Sequence, residues 1–159
     1  MRAPHRDAML EAFNNLYELV AIMATAVTLI LALALGRAPE RACALILLVD
    51  VFGIILLLSL FDHAARYWMV QVKAVLILLA YGAVLWRWPH RWLIVLAALQ
   101  AFAVLLHLAV WLDTSILARV NALLLNGVGW LMMITLSAAA VGGAIQRYDA
   151  HRAAARSPQ

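Results

Sequence analysis

The sequence predicts an all-α fold: an integral membrane bundle of five transmembrane helices with short loops. Composition is the first reason. Hydrophobic residues make up 67% of the 159-residue chain and charged residues 13%, whereas a soluble domain is about half apolar and a quarter charged. The second reason is the pattern. The apolar residues fall in continuous runs of about 20, the length that crosses a hydrocarbon core as a helix. They do not alternate as barrel strands do. In lipid, backbone polar groups must be satisfied within the segment, and a helix does this.

Residues 1–6 are polar, and Asp7 is placed to cap a helix whose first turn Glu11 strengthens. Met9, Leu10, Phe13, Leu16 and Tyr17 recur at helical spacing and lead into a first span, 16–35. This span follows two arginines and ends in small residues, as a signal peptide does. Its apolar run is longer than a signal core and Glu18 sits inside it, so it is read as a retained span. Gly36-Arg37-Ala38-Pro39-Glu40-Arg41 is a turn in which Gly ends one helix and Pro opens the next. The second span, 42–61, and the third, 68–86, are joined by a loop at 62–67; Pro89 marks the turn before the fourth, 92–112. Asp113-Thr114-Ser115 is expected to cap the last helix, whose membrane part is 120–145, and 146–159 forms a basic cytoplasmic tail.

Five spans put the termini on opposite sides. Arg2, Arg6, Arg66 and Arg119 lie on one side; Arg37, Arg41, Arg87, Arg91, Arg147, Arg152 and Arg156 lie on the other. The larger basic share marks the cytoplasmic face, giving N-out and C-in. Aromatic belts agree: Tyr17, Tyr67, Trp68 and Trp111 at one interface, Trp86, Trp88, Trp92 and Tyr148 at the other. The net charge of +4 resides in loops and tails, so it signals topology and not nucleic-acid binding.

Polar residues inside the spans are the candidate functional residues: Asp50, Lys73, Gln100, His107 and Asn126. A charge at the bilayer centre costs about 2.5–3.5 kcal/mol on insertion scales, so such residues face protein or water and serve a purpose. Counting depth from the span ends puts Asp50 and Gln100 in a midplane layer, with Thr25 and Thr28 nearby. Glu18, Gln71, Lys73, His107 and Asn126 fall in an outer layer. On that count Asp50 and Lys73 are offset by about 9 Å. Lys73 is then expected to snorkel to the interface, and Asp50 to bond to Gln100 or to a backbone carbonyl, with a direct Asp50–Lys73 pair as the alternative. The two polar layers also describe a path of the kind used by proton relays and carriers.

On the last span, Gly127, Gly129, Ala138, Ala139, Gly142 and Gly143 supply small residues, in part four apart, which suit close helix packing within the chain or against another subunit. Cys43 is the one cysteine and is read as a small apolar residue. His107 is the one histidine inside a span, with His63 in the outer loop nearest to it, so no haem is expected; a quinone is the other redox partner considered. There is no metal motif, no phosphate-binding glycine loop and no catalytic constellation, so an enzyme is not expected.

The stretches GRAPERACALILL and RWPHRWLIVLAALQAFAVLLHLAVWLD, with a final span after them, resemble small uncharacterised multi-spanning membrane proteins of alphaproteobacteria. These share a GxAPER-like turn, an RxWP-like turn, and Gln and His seven residues apart. The resemblance implies a bacterial inner (plasma) membrane location and brings no activity. The resulting expectation is a non-enzymatic accessory or scaffold subunit of a larger inner-membrane complex, with the lipid bilayer and other membrane subunits as partners. The alternative is a small proton-, ion- or solute-conducting channel or carrier using Asp50, Lys73 and His107. A third reading is a redox subunit associated with haem or quinone.

Overall fold

The structure, a computed structural model, describes residues 4–60, 63–112 and 118–155, with side chains described over 16–57, 59–60, 68–110 and 120–155. The described residues form five helices: α1 (Pro4–Leu35), α2 (Ala38–Leu60), α3 (His63–Arg87), α4 (Arg91–Leu112) and α5 (Ala118–Ala154). The protein is an all-helical bundle. Four helices hold stretches long and apolar enough to cross a membrane: Leu16–Leu35, Trp68–Arg87, Arg91–Val110 and Val120–Ala154. The remaining helix, α2, has 23 residues and one charge beyond its first turn, Asp50. It turns Leu45, Val49, Phe52, Ile55 and Leu56 outward, as the other helices do with their own Leu, Ile and Val. Such an inside-out surface calls for lipid as solvent, because a soluble monomer rarely exposes large contiguous apolar patches.

The helix boundaries correct the sequence reading in three places. Helix α1 starts at Pro4, so Asp7 lies within it and is not its cap. Proline suits the first helical position, where its missing N–H is not needed. Residues 63–67, expected as a loop, are the first turns of α3. Residues 146–154, expected as a tail, continue α5. The expected cap Asp113-Thr114-Ser115 lies outside the described residues.

Short turns force sequential neighbours to pack antiparallel. Helix α1 packs on α2, α2 on α3, α3 on α4, α4 on α5, and α5 returns to α1; α2 and α5 also touch across the ring. That cross-contact divides the bundle into a three-helix side (α1, α2, α5) and a four-helix side (α2 to α5). The first turn is sterically exact. A Cβ on Gly36 would stand 2.1 Å from the Ala32 carbonyl oxygen and 2.7 Å from Glu40 Cβ, so only glycine fits. The Gly36 N–H donates to Ala32 O at 3.1 Å. Opposite it, Glu40 Oε2 accepts the Arg37 N–H at 2.8 Å, the return half of a capping box at the start of α2. The Arg147 guanidinium donates to the Leu35 carbonyl and satisfies the other open end, that of α1.

In lipid the hydrophobic effect does not press helices together, so close contact falls to small residues and to polar bonds. Ala32, Cys43, Ala44 and Ala140 are fully buried, and Tyr81, Leu93, Leu96 and Leu136 fill the rest of the core. On the three-helix side, Ser137 donates to Thr28 Oγ1 at 3.1 Å, and Thr25 donates to the Ala21 carbonyl at 2.8 Å and reaches Met133 Sδ at 3.4 Å. Nearer the helix start, Trp130 Nε1 donates to Tyr17 Oη at 3.1 Å.

Candidate functional site: a polar cavity between α2 and α5

The α2–α3 hairpin sets the centre of the site. Asp50 lies ten residues before the last residue of α2, and Lys73 ten residues after the first of α3. In an antiparallel hairpin these positions are level. Lys73 Nζ donates to Asp50 Oδ1 at 2.5 Å and stands 3.2 Å from the Asp50 carbonyl oxygen. The pair is largely shielded, with the Lys73 side chain 15% exposed and that of Asp50 30%. Gly53, one turn on from Asp50, makes room for the lysine stem: a Cβ there would lie 3.3 Å from Lys73 Cδ.

This corrects the expected offset of about 9 Å and the snorkelling lysine. The depth count had placed residues 63–67 outside the membrane helix; as part of α3 they carry Lys73 deeper, to the level of Asp50. Asp50 accordingly takes its bond from Lys73. Gln100, 6% exposed, donates from Nε2 to the Ala74 carbonyl at 3.1 Å, tying α4 to α3 one residue beyond Lys73. Lys73 thus lies level with Asp50 and beside the Ala74 carbonyl that Gln100 bonds.

Asp50, Lys73, Gln100, His107 and Asn126 all line one cavity of about 260 Å³ on the four-helix side. His107 follows Gln100 by seven residues, two helical turns, and so shares its face of α4. Helix α5 closes the space with Asn126, Gly129 and Met132, while Ile54 and Val70 add apolar walls. The chamber therefore has an ion pair and an amide at one level, an imidazole and a second amide further along, and hydrocarbon between. It offers hydrogen-bond donors and acceptors to a small polar guest, and a chain of titratable groups. Thr25 and Thr28 stand apart from it, on the α1–α5 seam. Glu18 is exposed on α1. Gln71 Oε1 is buried with no hydrogen-bond partner among the described residues. The side chain of His63 is not among those described. No group of three His, Cys, Asp or Glu residues able to hold a metal occurs among the described residues.

The small residues of α5 serve differently from a packing stripe within the chain. A Cβ added at Gly127, Gly129 or Gly142 would meet nothing within 4 Å. Inward packing falls instead to Ala140, which is fully buried; Ala138 and Gly142, two residues to either side, point away from it because each residue turns the helix by about 100°. Gly129 lines the polar cavity. Ala138, Ala139, Gly142 and Gly143 line a second crevice, of about 340 Å³, at the end of the bundle carrying the Gly36 and Pro89 turns.

Two residues escaped the sequence reading. Gly53 matters for the room it leaves to Lys73, which only the α2–α3 register reveals. Glu40, 5% exposed, is a nearly buried carboxylate; its position three residues after Arg37 was the available signal, the spacing of a capping box. The chain matches no family model, no curated protein and no solved structure in the comparisons made.

Proposed function

We propose that this membrane protein is a small carrier or channel for a proton, an ion or a small polar solute, with the α2–α5 cavity as its site. One observation carries the reading: Asp50, Lys73, Gln100, His107 and Asn126, polar side chains from four different helices, line the same chamber. Buried polar groups of this kind are costly in lipid and ordinarily mark a pathway or a binding site. With Asp50 and Lys73 paired, the chamber is close to neutral. A proton arriving at Asp50 would release Lys73 toward the cavity, and His107 is the next titratable group along its wall. The reading takes α2 as a fifth span and places the protein in a bacterial inner membrane. It involves no enzyme chemistry and no cofactor.

The test is flux. Purified protein in sealed vesicles with an internal pH dye, under a potassium diffusion potential, should acidify or alkalise the lumen faster than empty vesicles do. Asp50→Asn should bring the rate to that of the empty vesicles. Equal rates for the parent, for Asp50→Asn and for empty vesicles, with a panel of ions and small polar solutes giving the same result, would refute the proposal.

A second reading, an accessory or scaffold subunit of a larger complex, is favoured by the exposed small-residue position Gly127 on α5, where an added Cβ would meet nothing within 4 Å. Small faces are where membrane helices approach closely. Extraction in mild detergent followed by sizing decides it: a co-purifying subunit supports this reading, and a lone monomer refutes it.

A further inference from the structure

The second crevice has no part in the proposed pathway. It lies where the α1–α2 turn, the first turn of α4 and the last third of α5 meet. This is the level of the lipid headgroups, marked by the outward Trp86 and Tyr148 and by exposed Arg41, Arg87 and Arg91. Arg37, Glu40, His90, Trp92, Gln146 and Gly143 face the space, which measures about 340 Å³. His90 and Trp92 stack with ring centres 6.3 Å apart and form one wall.

Glu40 is the informative residue. It is 5% exposed, yet only Oε2 is used, accepting the Arg37 N–H at 2.8 Å. Among the described residues Oε1 has no hydrogen bond or ion pair. It faces α5, 3.9 Å from where a Cβ on Gly143 would stand. Oε1 opens on the crevice, where it is free to accept from a cationic donor. Three residues away, at the rim, the Arg37 guanidinium is exposed and pairs with no carboxylate among the described residues. The crevice thus presents an acceptor for an ammonium inside and a donor for a phosphate at its edge. At headgroup depth, one molecule carries both groups a few atoms apart.

We infer that the crevice between the α1–α2 turn, α4 and α5 binds the headgroup of a phospholipid bearing a primary ammonium beside its phosphate. Glu40 Oε1 accepts from the ammonium, Arg37 holds the phosphate, and Gly143 keeps the space open. A quaternary ammonium has no N–H to give Glu40, and a headgroup without nitrogen leaves the carboxylate unpaired. The site discriminates on both counts.

The experiment is native mass spectrometry of the full chain in mild detergent with phosphatidylethanolamine, phosphatidylcholine and phosphatidylglycerol of identical acyl chains. The expected result is retention of phosphatidylethanolamine about tenfold above either of the others, the effect of one charge-assisted hydrogen bond. Glu40→Gln keeps an acceptor for the Arg37 N–H and should lose the preference. Gly143→Leu fills the crevice and should lower retention of all three lipids to one common background. Equal retention of the three lipids by the parent, or an unchanged preference in both variants, overturns the inference. Displacement of the lipid by an equal concentration of free O-phosphoethanolamine would assign the site to a soluble molecule and overturn the lipid assignment.

Discussion

Separating Asp50 from Lys73 is the most informative perturbation. The 2.5 Å bond corresponds to about 6–7 kcal/mol of Coulomb attraction at an effective dielectric constant of about 20. Most of that is offset by the desolvation of both groups, so the pair adds little net stability over an apolar replacement. Removing one partner is different, because the other is left charged and alone in a lipid-bounded interior. The usual cost is about 3–5 kcal/mol, and the 30% exposure of Asp50 places these variants at the lower end, about 3 kcal/mol each. Asp50→Leu with Lys73→Met removes both charges and should cost no more than either single change. The coupling energy is then about 3 kcal/mol. Reversible unfolding in mixed detergent micelles measures all four proteins. Single variants that cost under about 0.5 kcal/mol, or that add without coupling, would refute the reasoning.

Other substitutions probe other parts of the account. Gly36→Ala drives a methyl into the Ala32 carbonyl at 2.1 Å and should cost at least about 2 kcal/mol in the same unfolding assay, a strain penalty for backbone that has no room to yield. Gly53→Leu overlaps the Lys73 stem, 3.3 Å from the nearest possible Cβ; it should cost about 1–3 kcal/mol and erase most of the Asp50–Lys73 coupling. Gln100→Leu removes the bond to the Ala74 carbonyl; about 1 kcal/mol of stability should be lost, with flux in vesicles falling more than stability does.

The helical, lipid-solvated character of the chain was legible because continuous apolar runs leave no other solution. The residues that meet at the cavity were legible one by one, since each is polar where hydrocarbon is expected. Their mutual placement was not, and the loop at 62–67 shows why. His63, Ala64, Ala65, Arg66 and Tyr67 look like a polar connection, yet helix propagation costs little once α3 is formed, and α3 begins at His63. Five residues of helix shift Lys73 by about 7–8 Å, enough to turn an offset pair into a bonded one. The small residues of α5 were legible as a face, but spacing by four does not name its partner: Ala140 is fully buried, while Ala138 and Gly142 line the second crevice.

The paired charge at the centre of the bundle can be observed directly, because Lys73 is the only lysine in the chain. In vesicles of protein labelled with ¹⁵N-lysine and ¹³C-aspartate, solid-state NMR should show the one ammonium nitrogen dephased by an aspartate carboxyl carbon at about 3–4 Å, the separation of a direct charge-assisted hydrogen bond. Asp50→Asn should abolish the effect. An ammonium signal with no aspartate carbon within about 6 Å, beyond any direct hydrogen bond, would contradict the account.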